Sequence, residues 1–152
     1  MKSMLITRIA CAMLGACCAL PFAAHATLGQ NAATVDGDQA RLHAVARAAS
    51  AQGAYAVHTL TLPSGTQVRE YVAANGIVFG IAWDGPTLPD LKAMLGASFD
   101  AYVTASTTRR GVPLAVSNSD LVVFSSGHLR AFTSYAYLPR AVPAGVDVSV
   151  IQ

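Results

Sequence analysis

The spacing of apolar residues changes character several times along the chain. It opens with a continuous apolar run from Ile9 to Ala24, preceded by the basic Lys2 and Arg8 and closed by Ala24-His25-Ala26. A positive start, an apolar centre and small residues two apart form the pattern of a cleavable secretory signal peptide over residues 1–26. The run is shorter than the roughly 20 residues that span a bilayer. Leu14-Gly15-Ala16-Cys17 resembles a lipidation box, but the run continues through Leu20, Pro21 and Phe22, which favours cleavage after Ala26.

Thr27 to Val35 is small and polar and reads as an extended lead-in. Asp36-Gly37-Asp38 then offers carboxylate oxygens to the free N–H groups of a first helical turn. Leu42, Val45, Ala46 and Ala49 fall on one face at helical spacing, which predicts a helix over Gln39–Ser50 ended by Gly53. Period-two alternation follows. It predicts strands over Tyr55–Leu62 and Gln67–Val72, joined by the turn Pro63-Ser64-Gly65-Thr66, and a third strand over Ile77–Trp83. Asn75-Gly76 suits a type I′ turn between the second and third. On the third strand Ile77, Phe79, Ile81 and Trp83 are expected to share the core face.

Gly85-Pro86-Thr87-Leu88-Pro89 interrupts the sheet, and Leu91, Met94, Leu95, Phe99 and Val103 then form one stripe of a helix over Asp90–Thr104, with Arg109, Arg110 and Gly111 just past its end. Two more strands are expected, Leu121–Ser125 and His128–Tyr137, joined by Ser126-Gly127, with a tail from Pro139 to Gln152 packed along the domain. The expected fold is α+β: one domain, residues 27–152, whose mostly antiparallel sheet of about five strands carries two helices on one face.

Composition sharpens the expectation of export. Cys11, Cys17 and Cys18 all lie in the leader, so residues 27–152 contain no cysteine and must be held together by packing. A domain of roughly 125 residues buries enough surface for that. Lys2 and Arg8 also leave with the leader, so the formal net charge of +2 belongs to it and the remainder is formally neutral. A neutral domain without a basic stripe gives no electrostatic footprint for nucleic acid, and membrane contact is expected only through the uncleaved leader. Charged residues make up 12% of the chain, about half the usual share, and a face covered by a partner would explain this.

Chemistry-bearing residues are sparse. His43, His58 and His128 each stand apart from other ligand types, so no metal site is expected, and without a glycine-rich phosphate loop no cofactor is expected either. Ser125 and Ser126 beside His128, with Asp120, would be the parts of a small hydrolase, although a serine nucleophile needs a strand-to-helix elbow rather than a hairpin. Glu70 is the only glutamate, and Asp36, Asp84 and Asp90 each have a cap or turn to serve. Neighbouring strand residues face opposite sides, so only one of Arg69 and Glu70 points outward, and Glu70 is expected to pair across the sheet with Arg130. Trp83 ends an apolar strand and is expected in the core, the other reading being an exposed platform for a sugar or peptide. Arg69, Glu70, Trp83, His128 and Arg130 are the candidate binding residues.

Pro63-Ser64-Gly65-Thr66, Val68-Arg69-Glu70-Tyr71-Val72, Trp83-Asp84-Gly85-Pro86, Pro89-Asp90-Leu91 and Gly127-His128-Leu129-Arg130-Ala131-Phe132 occur here in this order. In these segments the chain resembles the bacterial exported proteins known as domain of unknown function 2844. The resemblance implies a single small domain in the envelope or outside the cell, and brings no activity or catalytic residue with it. The expected function is therefore a non-catalytic module, periplasmic or secreted, that binds another envelope protein or an apolar or peptide ligand.

Overall fold

A computed structural model describes residues 28–108 and 114–152. The expected signal peptide and its cleavage site lie outside the described residues, as do Arg109, Arg110 and Gly111. The fold is α+β and its sheet is wholly antiparallel, with seven strands rather than about five: β1 (Ala46–Ala51), β2 (Tyr55–Thr61), β3 (Gln67–Ala73), β4 (Val78–Gly85), β5 (Leu114–Ser117), β6 (Val122–His128) and β7 (Ala131–Tyr137). Their order is β1-β2-β3-β4-β7-β6-β5, so β4 and β7 meet at the centre and β1 and β5 are edges.

The extra strand β1 replaces the second half of the expected first helix. That helix, α1 (Val35–Arg41), stops early because His43 takes a left-handed conformation (φ 51°). His43 N then donates to the Ala40 carbonyl and Ala44 N to that of Gln39, the Schellman closure of a helix end. Downstream, Ala46–Ala51 pairs residue by residue with β2. An alanine-rich segment with little apolar surface to bury gains more from capping the unpaired edge of a β-branched strand than from continuing as an isolated helix. Asp38 lies inside α1, buried and ion-paired with Arg41, rather than ahead of it.

The β2–β3–β4 meander follows the expected strands, with one change of turn. At Ala73–Ile77 only Gly76 has a positive φ (82°), Gly76 N donates to the Ala73 carbonyl, and Asn75 Oδ1 accepts from Ile77 N. This is a three-residue loop ending in a left-handed glycine, not type I′. In β4, Tyr71 lies opposite Gly80 and Val72 opposite Val78, so Phe79 is an extra residue in a β-bulge. The bulge inverts the alternation. Phe79 faces the opposite side from Ile81 and Trp83, and both sides of β4 are buried.

Two cores result. On one side Leu60, Val68, Val72, Val78, Ile81, Trp83, Val123 and Ala136 pack against Leu28, Leu42 and the second helical segment. That segment is α2 (Leu91–Leu95), a 3-10 turn at Gly96–Ser98 and α3 (Phe99–Thr108). Asp90 caps α2, its Oδ1 accepting from Ala93 N at 3.0 Å. Met94, Leu95, Phe99 and Tyr102 contribute to this core, whereas Val103 is exposed because the 3-10 turn rotates the stripe. The lead-in is seated, with Leu28 buried and its N–H donating to the Met94 carbonyl. On the other side Tyr71, Ala73, Phe79, Ala82 and Ile151 form the second core beneath the C-terminal segment. The β6–β7 turn falls at Leu129-Arg130, not Ser126-Gly127, since His128 pairs with Ala131 and Arg130 takes φ 69°.

Candidate functional site

The C-terminal segment builds a concavity on the sheet. After β7 the chain turns at Pro139–Ala141, returns, and makes a 3-10 turn at Val148–Val150 capped by Asp147. Ile151 then drops onto Gly80, where a Cβ would stand 2.9 Å from its Cδ1. Arg69 fastens the end of this segment: its Nε donates to the Gln152 carbonyl at 2.7 Å while Nη1 pairs with Asp84 at 2.6 Å. Arg69 is thus a clamp between strand and tail, and Asp84 serves that clamp rather than a turn.

Because the tail lies over β2–β4, the same face of β6 and β7 stays open beside it. There Phe124 stacks on its cross-strand partner Tyr135 (centroids 5.5 Å, 23°), and Tyr135 on Tyr137 two residues along (6.4 Å, 21°). These half-buried rings and Thr133 form one wall of a cleft of about 480 Å³, and Asp147, Val148, Ser149, Ile151 and Gln152 form the other. Among the described residues of this lining Asp147 has the one charged side chain. Its Oδ1 accepts from Ser149 N at 2.9 Å, and that bond holds its carboxyl below the usual carboxylate range.

The opposite face holds a buried acid. Glu70 is 2% exposed and points, with Val68 and Val72, toward α1. His58 of β2 lies directly across from it, Arg47 of β1 reaches His58 Nδ1 at 3.4 Å, and Arg41 and Arg47 are close enough to act on its charge. Burial pushes the carboxyl up to about 7, against the lowering effect of Arg47 and then Arg41. Its Oε2 is buried without a hydrogen-bond partner. The expected Glu70–Arg130 pair does not form: Glu70 sits mid-strand between His58 and Ile81, and Arg130 is exposed at the β6–β7 turn.

The remaining candidates are dispersed. Trp83 is fully buried, which removes it as a platform, and its Nε1 has no acceptor. His128 is exposed at the end of β6. Ser125 accepts from Ser134 Oγ at 2.9 Å, and Asp120 pairs with Arg140 at 3.3 Å. Val122 to His128 alone spans about 20 Å at the rise of a strand, so Asp120 and His128 stand at opposite ends of β6. The aromatic wall was missed in the sequence. Its signal was present in Tyr135 and Tyr137, two apart on a strand, but which side of β7 lies open depends on where the tail runs.

Two segments that carry the family resemblance pack on each other. Thr66 Oγ1 bonds the Thr87 carbonyl at 2.9 Å, Thr87 Oγ1 donates to Ser64 at 2.7 Å, and a Cβ on Gly85 (φ 146°) would stand 2.5 Å from Thr66 Cα. With the Arg69–Asp84 pair beside them, these residues lock the β2–β3 turn to the end of β4. The class so defined is a small α+β domain with an open antiparallel sheet, an aromatic cleft on one face and a buried acid on the other. Residues 24–151 match the family described as protein of unknown function (DUF2844), and the chain belongs to that family. No curated protein and no solved structure matches it.

Proposed function

We propose that the chain is an exported, non-catalytic binding module, periplasmic or secreted, that takes an apolar or peptide segment of an envelope partner into the cleft between β6–β7 and the tail. The observation that carries this reading is the Phe124–Tyr135–Tyr137 wall, three aromatic rings left half-buried in a concave site. Aromatic side chains offer large contact area at low entropic cost and are enriched where partners dock. A cleft of about 480 Å³ lies in the range of ordinary ligand sites.

The test is selection from a displayed library of random dodecapeptides on the secreted protein, followed by affinity measurement on wild type and Tyr135→Ala. Selected peptides should lose at least about tenfold in affinity for the variant, since a central interface tyrosine commonly contributes more than 1.4 kcal/mol. The urea midpoint verifies that the variant folds. Undiminished binding to a folded Tyr135→Ala would place the ligand elsewhere. Export is tested separately, by mass spectrometry of the mature N-terminus, expected at Thr27.

A further inference from the structure

We infer that the cleft receives a cationic side chain, the guanidinium or ammonium of an arginine or lysine in the bound peptide, laid on the Tyr135 and Tyr137 rings with Asp147 as its counter-ion. The inference rests on the peptide-binding reading above and names the group that the peptide must present.

Two independent features of the cleft ask for the same charge. The first is the wall. Aromatic faces carry negative potential, and a cation within about 6 Å of a ring centroid is attracted to them. Tyr135 and Tyr137, with centroids 6.4 Å apart, are close enough for one cation on the open side of the wall to lie within reach of both rings.

The second feature is Asp147, which no cation of the described chain neutralises. Arg69, at the end of the tail, is committed to Asp84 and to the Gln152 carbonyl, and Arg140 to Asp120. Ser149 orients the Asp147 carboxylate, its backbone N–H donating to Oδ1 and its side chain adding a second hydrogen bond. The Ser149 backbone bond favours the charged form of this carboxyl and lowers its pKa. An oriented, exposed carboxylate across the cleft from the aromatic wall offers a cation a counter-ion and an apolar contact together. A neutral apolar residue would use the rings and leave the carboxylate unanswered.

Two peptides differing in one group decide the matter: a hexapeptide with a central arginine, and the same peptide with citrulline, which keeps the shape and loses the charge. Binding to the full-length exported protein is followed by NMR shifts of the Tyr135 and Tyr137 rings. The arginine peptide should bind about threefold more tightly than its citrulline twin, the difference expected of a pair with a solvent-exposed carboxylate. Raising the salt concentration should narrow the gap. Asp147→Asn should abolish it, because asparagine caps the Val148–Val150 turn as well as aspartate does and removes only the charge.

Equal affinities for arginine and citrulline would overturn the cation site while leaving an apolar peptide cleft intact. Binding of tetramethylammonium with no binding of either peptide would overturn the peptide side chain as occupant. Failure of every probe, together with failure of the displayed library to depend on Tyr135, would instead sink the peptide-binding reading itself.

Discussion

Replacing Glu70 by glutamine should make the domain more stable in alkaline solution and change little in acid. Glu70 is 2% exposed, and its carboxyl is pushed up to about 7 by burial, against an ordinary value of 4.5. Between these two values the folded protein holds a proton that the unfolded chain has released. Stability must therefore fall as pH rises through that window and level off above it. The gap, at about 1.4 kcal/mol per decade, amounts to about 3 kcal/mol between pH 4 and pH 8.5. Glutamine has nearly the same shape and does not titrate. Because Oε2 has no hydrogen-bond partner, the amide sacrifices no bond there. The assay is urea unfolding of wild type and Glu70→Gln at pH 4 and pH 8.5, comparing differences so that every other titrating group cancels. The difference should grow by about 3 kcal/mol in favour of the variant as pH rises. Parallel pH profiles, or a wild type that gains on the variant with rising pH, would show that Glu70 is solvated or firmly ion-paired and would refute the reasoning.

Arg69→Met should free the end of the tail by removing both its bond to the Gln152 carbonyl and its pair with Asp84, raising hydrogen exchange over residues 146–152 while β2 and β3 stay protected. Gly85→Ala should cost about 3 kcal/mol or more in urea unfolding, since its new Cβ meets the Thr66 backbone at 2.5 Å and the φ of 146° disfavours any side chain. Trp83→Ala should cost about 3 to 5 kcal/mol, and Trp83→Phe distinctly less, because the indole N–H has no acceptor to lose.

The middle of the chain is legible because its signals are local. Alternation from Tyr55 to Trp83 and the turn residues at Pro63–Thr66 and Asn75-Gly76 all lie within a few positions of the structure they specify. β1 was not legible: Ala46–Ala51 has the composition of a helix and becomes a strand only because β2 offers an unpaired edge. The bulge at Phe79 defeats any assignment of faces by counting in twos, since one extra residue inverts everything beyond it. Glu70 reads from the sequence as a cross-sheet partner of Arg130, and only the packing over its side of β3, shared with Val68 and Val72, reveals the burial. The candidate site depended most on distance. Asp147 reaches the Phe124–Tyr135 pair only through the return of the tail, which no local pattern encodes.

The strand order carries a consequence for how the molecule comes together. β1 to β4 form one chain of hairpins, and β5 to β7 another, each closed by contacts between near neighbours in sequence. The single seam between them is β4 against β7, which joins residues about fifty positions apart across both helices. Hairpins close within microseconds, whereas a seam of this kind must first overcome the entropy of a long loop. The two halves of the sheet are therefore expected to form early and dock late. On this topology the step expected to limit the rate is the zipping of Gly80–Gly85 onto Phe132–Tyr137.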